Sequence, residues 1–134
     1  MNPVLIDSNI LIDIFSDDQD WCKWSRDQMT YLSQMTHLYI NPIIYSEISI
    51  GFERIEELEN CLNMLPVKAV NIPKEALFLA GKAFLKYKRN SGTKTSALPD
   101  FYIGAHAAVN RWQVVTRDPK RMSHYFPTLK IISP

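Results

Sequence analysis

Four acidic residues, far apart in the chain, stand where a carboxylate needs a reason. Asp7 closes the apolar run Val4-Leu5-Ile6, and Asp118 follows Gln113-Val114-Val115-Thr116 in the same way. Asp100 comes directly after Pro99, at a helix start, where the macrodipole favours a negative charge. Glu47 lies among isoleucines: at about 100° per residue, Ile43, Ile44, Ile48, Ile50 and Gly51 share one side of the segment, and Glu47 falls within it. Singly, the three aspartates also read as helix caps, because short acids accept bonds from free backbone N–H groups. Glu47 has no such reading, and a lone ionised carboxylate on an apolar face is costly unless a partner compensates it. A buried arginine could serve, and so could a cation shared with the other acids. Together the four make an all-oxygen set that cannot stay ionised at close quarters without a counter-charge. Mg2+ or Mn2+ supplies one, since hard cations favour carboxylate and water ligands. A divalent ion held this way activates water and stabilises in-line displacement at phosphorus, with no need of a Ser, Cys or His.

The elements that must position these acids follow from pattern. At 134 residues, 46% hydrophobic and 22% charged, the chain reads as one ordinary globular domain, residues 1–134. Its apolar runs are too short for a membrane span, and Asp7 interrupts the first of them, against a secretory signal. Cys22 and Cys61 have no zinc spacing and make no disulfide framework, so a reduced, cytoplasmic setting is expected. Strands are predicted over residues 3–7, 38–40, 67–72, 113–116 and 130–133. Helices are predicted over 19–35, 42–52, 54–64 and 73–90, with another beginning at Pro99. In the first of these helices Trp21, Trp24, Met29, Leu32 and Met35 form the apolar stripe. Asn41-Pro42 is an N-cap followed by Pro at the first helical position. Short strands alternating with helices predict an α/β fold with a mostly parallel central sheet flanked by helices. Such sheets bind ligands outside the carboxyl ends of their strands, where Asp7 and Asp118 stand.

Charge is split along the chain. Residues 1–60 hold 11 acids and 3 bases; residues 61–134 hold 3 acids and 12 bases. A polyanion contact or a charged partner is one reading, and a mixed surface is the other if the halves interleave. The segment "KAFLKYKRNSGTK" contributes Lys86, Lys88, Arg89 and Lys94, which read either as a solvated helix face or as contacts to a polyanion backbone. Arg117, Lys120 and Arg121 flank Asp118 and are better placed to hold a scissile phosphate. His37, His106 and His124 are scattered, and His106 points about 120° away from Asp100, to packing or surface rather than to a ligand role. Four glycines cannot form a phosphate loop.

The stretches "VLIDSNILID", "IIYSEIS", "LPDFYIGAHAA" and "VVTRDPKRMSHYFPTLKIISP" resemble, in order, the four motif regions of the PIN-domain ribonucleases. The last is most similar to the VapC toxins of type II toxin–antitoxin modules. The resemblance implies a PIN-like domain and an Mg2+- or Mn2+-dependent endoribonuclease with a metal site of Asp7, Glu47, Asp100 and Asp118. It also implies supporting polar roles for Asn9 and Thr116, an RNA substrate, a cognate antitoxin and a second copy of the chain as partners. One departure stands out: the family often has Ser or Thr three residues before the glutamate, and this chain has Ile44, which removes a hydroxyl from beside Glu47. Two other classes fit the acids: a nucleic-acid or partner-binding module whose acids are all caps, and a receiver-like Mg2+-binding phosphoacceptor domain. Metal-dependent RNA cleavage separates them.

Overall fold

The computed structural model describes residues 1–94 and 98–134. In chain order the described elements are β1 (Val4–Ile6), α1 (Ser8–Phe15), α2 (Cys22–Met35), β2 (Leu38–Ile40), α3 (Pro42–Ser49), α4 (Ile55–Asn63), β3 (Val67–Ala69), α5 (Lys74–Arg89), α6 (Pro99–Asn110), β4 (Gln113–Val115), α7 (Lys120–Tyr125) and β5 (Ile131–Ile132). The strands form one five-stranded sheet in the order β3-β2-β1-β4-β5, and every pair is parallel. The α/β class with a parallel sheet is as expected.

β1 is the centre of the sheet, with Leu5 opposite Tyr39 of β2 on one side and Val114 of β4 on the other. Its three residues are fully buried, which explains an uninterrupted apolar run rather than an alternating one. The chain leaves β1 first toward β2 and later returns to the opposite side at β4, so the topological switch lies between β1 and β4. The main core joins these strands to Ile10 and Leu11 of α1, Met29 and Leu32 of α2, and Ile44 and Ile48 of α3. A second cluster joins Ala76, Ala80 and Ala83 of α5 to Phe101 and Ala105 of α6 and to Phe126. Gly104 of α6 faces the Phe126 ring so closely that a Cβ there would lie 2.5 Å from it.

Several boundaries differ from the sequence pattern. The third strand stops at Ala69 rather than residue 72, the last covers only Ile131–Ile132, and the helix expected to reach residue 52 stops at Ser49. Consequently Ile50 leaves the apolar side of α3 and is 88% exposed. In α2, Cys22 and Ser25 turn inward with Met29 and Leu32, whereas Met35 is exposed at the helix end. α1, foreshadowed only by the cap reading of Asp7, and α7 are short helices outside the predicted set. Strands from the basic half flank those of the acidic half on both sides, so the charge split produces no simple two-faced molecule. No helix among the described residues is long and apolar enough to cross a membrane.

Candidate active site

The carboxyl ends of β1 and β4 lie side by side, with the Asp7 N–H donating to Val115 O at 3.1 Å. Asp7 is both the N-cap of α1 and a member of a polar network. Its Oδ1 accepts from the Ser8 N–H at 2.7 Å, and its Oδ2 accepts from Thr116 Oγ1 at 2.6 Å. Asn9, in the first turn of α1, donates from Nδ2 to Thr116 Oγ1 at 3.2 Å and accepts the Arg117 N–H on Oδ1 at 3.2 Å. The Asp118 N–H in turn donates to Thr116 Oγ1 at 3.0 Å. Asn9 and Thr116 thus meet at Asp7, although they are 107 residues apart in sequence. Asp118 is no cap: α7 begins after Pro119 and has no side-chain cap bond.

Glu47 is half-buried on α3 beside the isoleucine face. Its Oε1 accepts from Ser8 Oγ at 2.9 Å. The hydroxyl missing at Ile44 is therefore supplied from α1 by Ser8, a residue the sequence reading did not single out. Asp100 sits in the first turn of α6, with the Arg121 guanidinium 3.5 Å away.

These acids feel one another. Burial pushes the Asp7 carboxyl above the usual range, bonds from Thr116 and Ser8 pull it back, and the charge of Asp118 raises it further. Burial raises Glu47, the Ser8 bond opposes this, and the charges of Asp7 and Asp100 add to the rise. Asp100 is pushed up to about 6, by burial first and then by the charge of Asp7, against the pull of Arg121. Such a set attracts a cation. Among the described residues no three Asp, Glu, His or Cys side chains close into a ready-made metal cage. The donors are hard carboxylates, the ligand type of Mg2+, an ion that keeps several waters and takes one or two carboxylates.

Beside Asp100 and Asp118 runs a groove of about 520 Å3, lined also by Tyr87, Lys120, Arg121, His124 and Tyr125. Lys120 and Arg121 therefore border the acids. Lys86, Lys88 and Arg89 form the exposed C-terminal turn of α5 and, like Lys94, are not part of the groove wall. The Tyr87 ring packs against Phe84, Phe101 and Tyr125, and its hydroxyl accepts the Thr93 and Lys94 N–H groups. Arg117 differs from the expectation of a phosphate contact. Its Nε and Nη2 donate to Asp13 at 2.7 and 2.9 Å, and its guanidinium lies over Trp21. A guanidinium committed to a fully buried carboxylate is not free to hold a substrate. His106 is buried packing, with Nδ1 3.1 Å from Asn41 Nδ2. Asn41 Oδ1 already accepts the Ile44 N–H, so Asn41 presents its amide hydrogen and the imidazole proton sits on Nε2. Burial lowers His106 to about 4.

The sequence model of the PIN domain matches residues 4–125. None of the curated proteins compared with the chain is significantly similar to it in sequence. Among solved structures, VapBC2 from Rickettsia felis bound to a DNA fragment from its promoter superposes with a TM-score of 0.76 at 15% identity, covering 98% of each chain. VapBC-1 from nontypeable Haemophilus influenzae gives 0.74 at 18% identity, covering 98% of this chain and 97% of that one. A toxin–antitoxin complex from Klebsiella pneumoniae gives 0.69 at 23% identity, with the same coverage. The sequence match spans the strand-end acids and the helices that carry the others, and the fold agrees over nearly its full length: the chain belongs to the PIN-domain family.

Proposed function

We propose that this protein is a metal-dependent endoribonuclease acting as the toxin of a toxin–antitoxin pair. The observation that carries this reading is the convergence of the acids at the ends of β1 and β4: Ser8 bonds both Asp7 and Glu47, Thr116 bonds both the Asp7 carboxylate and the Asp118 N–H, and Asp100 and Asp118 line one groove. Asp7, Glu47, Asp100 and Asp118 would hold Mg2+ or Mn2+, which when bound activates water and neutralises charge developing at the scissile phosphate. Thr116 and Asn9 fix the orientation of Asp7, and Ser8 aims Glu47. Lys120 and Arg121 hold the phosphates of an RNA strand lying in the groove. The cluster of Lys86, Lys88, Arg89 and Lys94 extends that contact without touching the chemistry.

Toxin–antitoxin assemblies among similar structures support an antitoxin partner. A groove of about 570 Å3, with Ile14, Phe15, Met29 and Leu65 beside Arg26 and Ser33 in its wall, suits an amphipathic segment of that partner. The outer face of α5, with Leu77, Phe78 and Leu85 exposed, suits a second copy of the chain. The test is cleavage of RNA by the purified chain with Mg2+, with Mn2+ and with chelator. Products should carry 5′-phosphate and 3′-hydroxyl ends, because water rather than the ribose 2′-hydroxyl attacks. Cyclic 2′,3′-phosphate ends, or cleavage that survives the chelator, would refute the mechanism.

A further inference from the structure

Asp13 is an aspartate near the end of α1, 2% exposed, with no place in the four-acid set. Its Oδ2 accepts from Ser25 Oγ of α2 at 2.8 Å and from Arg117 Nε, and its Oδ1 accepts from Arg117 Nη2. The Arg117 guanidinium also lies 5.1 Å from the centre of the Trp21 ring, at the start of α2. Arg117 itself stands between Thr116 and Asp118, and its N–H donates to Asn9 Oδ1. One helix therefore grips the turn after β4 twice: the first turn of α1 holds the Arg117 backbone through Asn9, and the last turn holds its side chain through Asp13.

We propose that the Asp13–Arg117 pair is a positioning device for the site, a tether that keeps the Thr116–Asp118 turn seated on α1 so that Asp118 and Thr116 stay registered with Asp7. The proposal rests on the metal-nuclease reading and adds to it two residues that touch neither metal nor substrate. Geometry favours the tether over simple surface pairing. The fork is bidentate, the carboxylate is buried, and both of its oxygens are used by partners on two other elements. A rigid link of this kind transmits to an open site, because partners that orient ligands typically affect metal affinity or activity by about 10- to 100-fold.

The test replaces the whole buried network by apolar side chains, Asp13→Leu, Ser25→Ala and Arg117→Met together, since such swaps are often neutral or stabilising for the fold. Amide hydrogen exchange at Arg117 and Asp118 reads the tether directly, Mn2+ titration reads the acids, and single-turnover RNA cleavage reads the chemistry. The variant should melt near the wild type while those two amides lose protection. It should bind Mn2+ about tenfold or more weakly, and cleave more slowly at unchanged RNA affinity. Wild-type amide protection and Mn2+ affinity in a folded triple variant would reduce the pair to ordinary packing and overturn the proposal. If the triple variant does not fold, Arg117→Lys decides. It keeps the charge but loses the fork, so Mn2+ affinity should fall, and wild-type affinity would overturn the tether. Should the wild type neither bind Mn2+ nor cleave RNA, the nuclease reading fails, and amide exchange still reports whether the tether holds the turn.

Discussion

Asp100→Asn separates a repelling site acid from a helix-start acid, because the two readings predict opposite signs. As a cap-region charge at the start of α6, Asp100 would contribute roughly 0.3–1 kcal/mol, lost on substitution. As a member of a crowded acid set, it is destabilising when ionised. Its carboxyl is pushed from 3.8 to about 6, by burial and then by the charge of Asp7. That separation is worth up to about 3 kcal/mol at neutral pH. A quarter of the side chain reaches solvent, which screens part of it, so a net gain of about 1–2 kcal/mol is expected for metal-free Asp100→Asn. For a 134-residue domain this is a rise of about 3–8 °C in Tm. The pH dependence follows from the sign. The folded pKa lies above the unfolded one, so the contribution is favourable in full below about 3.8 and is lost as pH rises through about 6. The advantage of the variant should therefore be largest above pH 7, shrink at pH 5 and vanish near pH 4. Thermal melts of both proteins in chelator at pH 7.5, 6, 5 and 4 provide the measurement, and added Mg2+ should raise the wild-type Tm more than that of the variant. A variant less stable than wild type at pH 7.5, or a difference that does not change with pH, would refute the repelling-site account.

Ser8→Ala should leave the fold within about 1 kcal/mol of wild type, yet weaken Mn2+ binding and slow RNA cleavage, because Glu47 loses the 2.9 Å bond that aims it. His106 contributes in the opposite direction to Asp100. Its folded pKa of about 4 lies below the ordinary 6.5, so stability is present above 6.5 and lost as pH falls toward 4, by up to about 3 kcal/mol. Urea melts of Asp100→Asn between pH 7 and 4 should expose that slope, and adding His106→Gln should flatten it. Gly104→Ala pushes a Cβ into the Phe126 ring and should lower stability by roughly 1–3 kcal/mol in the same assay. Replacing Lys86, Lys88, Arg89 and Lys94 by Ala should flatten the salt dependence of RNA affinity by about one unit of slope or less per lost contact, with turnover at saturating RNA little changed. An unchanged slope would make the cluster a solvated face.

Local chemistry in the sequence marks the four acids as candidates and predicts the elements that carry them. A strand that ends at an aspartate, a Pro-Asp helix start and a glutamate amid isoleucines are patterns readable within a few residues. The parallel sheet followed from the alternation of short apolar strands with helices. Periodicity reports which residues share a side, but not where the helix stops or what that side meets. Ile50 therefore counted with an apolar face that ends one residue before it. The pairings that hold the site were decided by tertiary structure. Ser8 meets Glu47 across 39 residues, and Asp13 meets Arg117 across 104. Both depend on placements that no local pattern encodes, α1 against α3 in the first case and β4 beside β1 in the second. Arg117 reads in sequence as a free cation next to Asp118, and only the packing of α1 and α2 against that turn commits its charge to Asp13. A buried carboxylate needs a partner, and the order of strands in the sheet selects which one it finds.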